Sequence, residues 1–335
     1  MTPQDPGGPE PPSAAPVDPG APDDGAAPAG PVGTFSLEGR RAPALYLVGW
    51  LFTLLGLGIT VITFLGERTP ATAWILTGGV VLLAGGLVAA AGAQAVERVG
   101  RTDLAYRGPS PWLVFAAVVA LTLLVVVIVL GPLTALGLDP AGPVATSLAL
   151  ALTTLVYVGV VRLVVVGPGA LTWREMGVPR VSFRALGDAL YGAAFAVPVL
   201  LVTGVVALVL QGVLPPPPSP LPEAADLPGI LANVVSAVIL APIGEEIFFR
   251  GFATTAWART SPRAAAIVRG AVLFSLAHVI TIFAFEQALF GFLVRLPVGL
   301  ALGWLFLARR SLAAPIGLHA AFNGIQLLAL ATAPG

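Results

Sequence analysis

Between Ala44 and residue 332 the chain is a succession of nine long apolar runs, at approximately 44–65, 71–95, 112–136, 145–166, 185–214, 227–249, 264–285, 289–308 and 312–332. Each approaches the roughly 20 residues that a helix needs to cross a ~30 Å hydrocarbon core. The runs are continuous and lack the alternating pattern, about ten residues long, of membrane strands, which disfavours a barrel. Only 10% of the residues are charged, 57% are hydrophobic and the mean hydropathy is +0.93. An ordinary soluble domain is about 25% charged, so this chain has too little polar surface to cover a soluble globule. The expected fold is all-α: a polytopic membrane helical bundle of about nine transmembrane helices, five within 43–214 and four within 227–333.

Residues 1–42 hold ten of the 32 prolines with Gly, Ala, Ser and Asp and almost no large apolar side chain. Such a segment cannot bury enough surface to offset its ordering entropy, so it is expected to be a disordered tail. It is not a secretory leader, because Met1 is followed by acidic and proline-rich sequence instead of a basic start and an apolar run. The connection 215–226 (PPPPSPLPEAAD) reads as a stiff, extended linker.

Arginine placement orients the bundle, since cytoplasmic loops of membrane proteins carry the positive residues. Arg40 and Arg41 precede the first run, and Arg98, Arg101 and Arg107 lie in the second connection. Arg174, Arg180 and Arg184 lie in the fourth, Arg259 and Arg263 in the sixth, and Arg309 and Arg310 in the eighth, whereas the odd-numbered connections hold only Arg68. Nine spans thus put the N-terminus in the cytoplasm and the C-terminus and the acidic linker outside, in a cell membrane. Seventeen basic residues balance 17 acidic ones, so no basic excess points to nucleic acid. The 17 are all arginine, and an Ala, Gly and Arg excess without Lys fits a GC-rich bacterial genome. Cys is absent, which excludes disulfides, thiolate metal sites and Cys nucleophiles.

A charge at membrane depth costs roughly 2.5–3.5 kcal/mol on insertion scales, so ionisable residues inside the spans are informative. They include Glu245, Glu246 and Arg250 in the sixth run, His278 in the seventh, Arg295 in the eighth, and His319 with Asn323 in the ninth. Arg162 and Asp188 lie near span ends and read as interfacial anchors. On a helix Glu246 and Arg250 are four apart and can pair. Glu245 is turned about 100° away from that pair and is left as the free carboxylate, the kind of group general-base chemistry uses. The competing reading of the motif is a set of charges at the interface.

The stretch Arg259-Thr260-Ser261-Pro262 reads as a turn, with Ser261 as N-cap and Pro262 at the first helical position. Glu245 lies 15 residues before Thr260 and His278 lies 18 after it. Both are then roughly 22–27 Å from the turn and can meet, provided that the sixth helix continues past Arg250. Phe274 lies one turn before His278 and can wall it off from water. His319 and Asn323 share a face, and an imidazole with a carboxamide can donate to a developing oxyanion. Their competing reading is interhelical hydrogen bonding, worth about 0.6 kcal/mol on average. Both histidines of the chain thus join one cluster with the double carboxylate. Gly299 and Gly303 add a small-residue face for close helix approach.

The ordered set Glu-Glu-x-x-x-Arg, Phe-x-x-x-His and His-x-x-x-Asn resembles the CAAX-protease and bacteriocin-processing intramembrane proteases, also called type II CAAX prenyl endopeptidases. The approach from Gly303-Trp304-Leu305 through Arg309-Arg310-Ser311-Leu312 to His319 is similar too, and the likeness covers about 227–333. The resemblance implies a membrane endopeptidase acting on a protein or peptide substrate near the cytoplasmic face. In it Glu245 and His278 activate a water, His319 and Asn323 stabilise the oxyanion, and Glu246, Arg250 and Phe274 support them. It also leaves open a metalloprotease chemistry, in which a divalent metal such as zinc would be held by Glu245, His278 and His319. The rival reading is a non-catalytic scaffold or bacteriocin-immunity protein that retains the polar cluster. A transporter is disfavoured, since no inverted repeat is evident.

Overall fold

The structure is a computed structural model, and it describes residues 36–332 apart from 68, 220, 221 and 223–225. The chain divides into two compact units, Met1–Arg40 and Arg41–Gly335. In the first, the described residues 36–40 form a turn closed by the Arg40 amide on Leu37 O, and the tail expected to be disordered otherwise lies outside the described residues. Of the expected linker, 215–219 and 222 run without helix, and its other central residues are likewise outside.

The second unit is all helical among the described residues. Its nine helices are α1 Pro43–Leu65, α2 Pro70–Val99, α3 Pro111–Ala135, α4 Pro143–Val166, α5 Phe183–Gln211, α6 Leu227–Ala258, α7 Arg263–Ala277, α8 Phe285–Arg309 and α9 Ala313–Thr332. Eight are long and apolar enough to span a bilayer, and the protein is a multi-pass membrane protein. Proline opens α1 to α4, a position where its missing N–H costs nothing and its fixed φ favours the helix. Inside helices proline has the opposite effect. Pro198 has no N–H for the carbonyl four residues back, and α5 is interrupted just there, at Phe195.

Two details differ from the sequence expectation. The seventh run was expected to span 264–285, yet α7 ends at Ala277 and is about 22 Å long by helical rise. Residues 278–282 instead turn back through short-range bonds such as Ile282 N to Val279 O at 2.9 Å. Ser261 does not cap α7: its hydroxyl donates to Trp257 O at 2.8 Å and closes α6, leaving Pro262 in the capping position.

The helices are laid out so that α6 runs through the middle. α1 packs on α2, α2 on α3, α3 on α4, α4 along α6, α7 on α8, and α9 against α5. The largest core cluster surrounds Phe248, Phe249 and Phe252 of α6, with Phe115, Tyr157, Leu302, Leu305 and Leu318 from four other helices. Tyr157 and Phe248 lie 4.9 Å apart by ring centroids, within the range of favourable aromatic pairs. α5 and α9 approach until backbones touch. A Cβ on Gly192 would lie 1.8 Å from Ala314 O, and one on Gly317 would lie 2.0 Å from Ala189 O.

The arginine-rich connections gather at one end. There Arg309 pairs with the buried Asp188 carboxylate and lies over the Tyr191 ring, so Asp188 is a tie between α5 and α8. Arg259 donates to Glu175 at 2.6 Å, and the Leu312 amide donates to Gly177 O at 2.8 Å. Arg269 of α7, an exposed cation about 9 Å from the first residue of that helix, belongs to the same end.

Candidate active site

The site is built on a helix that is not a regular α-helix. Within α6, residues Val235–Leu240 and Glu246–Thr254 are π-helical, with hydrogen bonds reaching five residues back. Such widened turns are uncommon and concentrate at functional sites. Here one of them creates a vacancy in the backbone ladder. The Ala241 amide donates to Ser236 O, so the next bond in the series would run from residue 242 to Ala237 O, and residue 242 is proline. The Ala237 carbonyl is taken instead by Asn323 Nδ2 of α9, at 2.8 Å. On the other side of α6 the Thr154 hydroxyl of α4 donates to Leu240 O at 3.1 Å.

Beyond this segment α6 continues through Arg250 to Ala258, as the meeting of Glu245 and His278 required. Glu246 and Arg250 are both fully buried, with Arg250 Nη1 donating to Glu246 Oε1 at 2.9 Å. Arg250 Nη2 reaches Gly299 O of α8 at 3.4 Å, and its guanidinium lies 4.4 Å from the Phe274 ring centroid, a cation–π contact. The same Glu246 Oε1 faces His319 Nδ1 at 2.9 Å.

Glu245, one residue earlier, faces the two histidines. Its Oε2 lies 3.5 Å from His278 Nε2 and 3.9 Å from His319 Nε2, and this buried atom accepts no hydrogen bond. The other ring nitrogens fix the chemistry of these faces. His278 Nδ1 lies 2.8 Å from Phe274 O, and a carbonyl only accepts, so Nδ1 carries the hydrogen and a neutral His278 presents a bare Nε2 to Glu245. His319 donates from Nδ1 to the Glu246 carboxylate, and its neutral ring likewise presents a bare Nε2. Phe274 covers the cluster, with its ring centroid 4.4 Å from that of His278 and 5.7 Å from that of His319. His319 is buried, whereas the Glu245 and His278 side chains keep 14% and 25% of their surface exposed, so the site is open on the Glu245–His278 side.

Among the described residues no group of three or more His, Cys, Asp or Glu side chains is gathered to hold a metal ion. Two donors each about 2.1 Å from a tetrahedral zinc lie roughly 3.4 Å apart. The Glu245 to His278 spacing meets that, the 3.9 Å spacing to His319 does not, and Glu246 is already committed to Arg250 and His319. As they stand these residues do not close a metal site.

The seven residues that the resemblance gives a role lie in α6, α7 and α9, at or just beyond a helix end in the case of His278. The structure brings Glu245, Glu246, Arg250, Phe274, His278 and His319 into one cluster. Asn323 sits one turn beyond His319 with one amide N–H spent on Ala237. Sequence reasoning missed Pro242, whose position next to the double carboxylate in an otherwise helical run was the available clue.

Comparison with known proteins finds a likeness over one part of the chain. Neither curated proteins nor solved structures give a match. A family model described as type II CAAX prenyl endopeptidase Rce1-like matches residues 227–325, from the first residue of α6 into α9. Over that stretch, which holds every residue of the cluster, the chain is similar to the type II CAAX prenyl endopeptidase Rce1-like family.

Proposed function

We propose that this protein is an intramembrane endopeptidase that hydrolyses a peptide bond of a protein or peptide substrate with a water activated by Glu245 and His278. The match to a prenyl endopeptidase family model over 227–325 supports peptidase chemistry at the coarse level. The observation that carries the finer reading is the Glu245 Oε2 atom, buried, without a hydrogen bond, and facing two bare imidazole nitrogens. A water has two hydrogens, and Glu245 Oε2 with His278 Nε2 forms a pair of acceptors 3.5 Å apart that can receive both. This turns the water's lone pairs toward a substrate carbonyl entering from the open side.

In the first step the water oxygen bonds to the carbonyl carbon, the C=O π pair moves onto the carbonyl oxygen, and the water's proton passes to Glu245. In the second step the oxyanion collapses, the C–N bond breaks, and the proton held at Glu245 and His278 goes to the departing nitrogen. The remaining N–H of Asn323 is the donor on the oxyanion side, and His319 Nε2 adds a second only when that ring is doubly protonated. Glu246 and Arg250 hold His319 in place. The arginine-rich end is assigned to the cytoplasm by the positive-inside rule. Glu245 lies 13 residues before Ala258, about three turns from that end of α6 and so at membrane depth.

The test uses the purified full chain in nanodiscs with a peptide library read by mass spectrometry. Glu245→Gln and His278→Ala are each expected to lower the cleavage rate by at least ~10²-fold while the melting curve keeps its single transition. Cleavage at the wild-type rate in both folded variants would refute the reading.

A further inference from the structure

Arg295 of α8 is a cation at membrane depth for which the reaction as described has no task. Among the described residues it makes no ion pair. Its side chain donates from Nη1 to Gly291 O of its own helix, at 3.3 Å, which leaves most of the five guanidinium N–H groups uncommitted. A charge kept at such depth without a direct ion pair is costly and marks a functional position.

Its place in the bundle is fixed by its neighbours on α8. Gly291, Arg295 and Gly299 recur every four residues and share one face. A Cβ on Gly291 would lie 3.0 Å from Val279 Cγ1, and one on Gly299 would lie 2.9 Å from Ala271 Cα. This face therefore packs along α7 from Ala271 and onto the turn that follows it at Val279, and Arg295 falls between those contacts, level with Ser275 to His278. Gly299, one turn away, is the residue whose carbonyl receives Arg250. The positive charge of Arg295 acts on both Glu245 and His278.

Two of the groups available for an oxyanion are short of donors. Asn323 has given one N–H to Ala237 O, and His319, with Nδ1–H held by Glu246, offers an Nε2–H only when the ring is doubly protonated. We infer that Arg295 is a further catalytic residue, whose guanidinium donates to the oxyanion that the scissile carbonyl oxygen becomes in the tetrahedral intermediate. This rests on the peptidase reading given above. When the water's proton passes to Glu245, the negative charge leaves Glu245 and appears on the substrate oxygen. A fixed cation beside both groups accompanies that transfer without reorganising, and its direct N–H···O⁻ bond exists only once the oxyanion forms.

The experiment takes a peptide cleaved by the wild type from the library, in free-acid and C-terminally amidated forms, and measures kcat and KM for wild type, Arg295→Gln and Arg295→Lys in nanodiscs. Arg295→Gln is expected to lose about 10²–10³ in kcat with KM within about threefold, equally on both forms of the peptide. Arg295→Lys, which keeps the charge but not the planar fork, is expected to recover at least tenfold of that loss. If Arg295→Gln has lost its fold by thermal melting, binding of the peptide's phosphonate analogue to Arg295→Lys decides. Affinity equal to that of the wild type overturns the inference, and a loss of tenfold or more supports it. An unchanged kcat in folded Arg295→Gln overturns it. A loss confined to KM and to the free-acid peptide also overturns it, making Arg295 a receptor for the substrate's terminal carboxylate. A wild type that cleaves nothing removes the peptidase reading and this inference together, whereas Glu245-dependent cleavage indifferent to Arg295 removes the inference alone.

Discussion

Replacing Arg250 with methionine is expected to be among the most destabilising single changes in the protein, and the structure sets the scale. Arg250 and Glu246 are both fully buried and joined at 2.9 Å, so removing the cation strands a carboxylate whose remaining donor among the described residues is His319 Nδ1. Breaking a buried pair in this one-sided way costs about 3–5 kcal/mol. The contact of the guanidinium with the Phe274 ring, at 4.4 Å, is lost as well and adds up to about 2 kcal/mol in a desolvated site. The double replacement Glu246→Leu with Arg250→Met removes both charges and is expected to recover most of the lost stability, since buried ion pairs exchanged for apolar residues are often neutral. It is not expected to recover activity, because His319 then has no carboxylate at Nδ1. Reversible unfolding in mixed micelles, followed by tryptophan fluorescence, gives the free energies, and peptide cleavage gives the activity. A single variant within about 1 kcal/mol of the wild type would refute the reasoning, as would a double variant no more stable than the single one.

Three further outcomes are expected. Gly192→Ala and Gly317→Ala each place a Cβ against backbone atoms at 1.8 and 2.0 Å, so α5 and α9 must separate. Each is expected to cost about 1–3 kcal/mol in the same unfolding assay, since overpacked sites relax only by backbone shifts. Burial raises the Glu175 carboxyl, but the Thr172 backbone N–H, the Arg259 guanidinium and the Thr172 hydroxyl outweigh it and hold the group below its ordinary 4.5. The contribution is therefore present above pH 4.5 and lost as pH falls below it, so wild type minus Glu175→Gln stability is expected to be constant above about pH 5 and to shrink in more acid solution. Cleavage is expected to survive prolonged chelation, with metal analysis of the treated protein as control; activity restored only by added zinc would overturn the donor-spacing argument.

The helices were legible because continuous apolar runs of membrane length have few alternatives, and the arginine pattern divides their ends consistently. The end of α7 was not, because the apolar residues Ile280, Ile282, Phe283 and Phe285 continue the run past His278 and hide a turn made only by local hydrogen bonds. The convergence of Glu245 with His278 followed from counting residues across the 259–262 turn. The π-helical segments did not, since a widened turn has the same apolar composition as an α-helical one. The anchoring of Asn323 depended on them: its partner is a carbonyl made available by Pro242 together with the five-residue bonding pattern. Asp188 and Arg309 are 121 residues apart, and nothing in either local stretch announces their pairing.

The widened turns on either side of Glu245 set a rotational phase. A helix that advances by more residues per turn over 235–240 and again over 246–254 delivers its remaining side chains at angles that a uniform helix would not give them. The bearing of Glu245 toward α7 and α9 is thus adjustable independently of where Phe252 or Trp257 anchors the same helix. Deleting one residue within 246–254 would change both the residue count and the winding there, and with them the bearing of everything before it relative to everything after it. Chain length inside a single helix therefore works as a dial on the direction in which its carboxylate points.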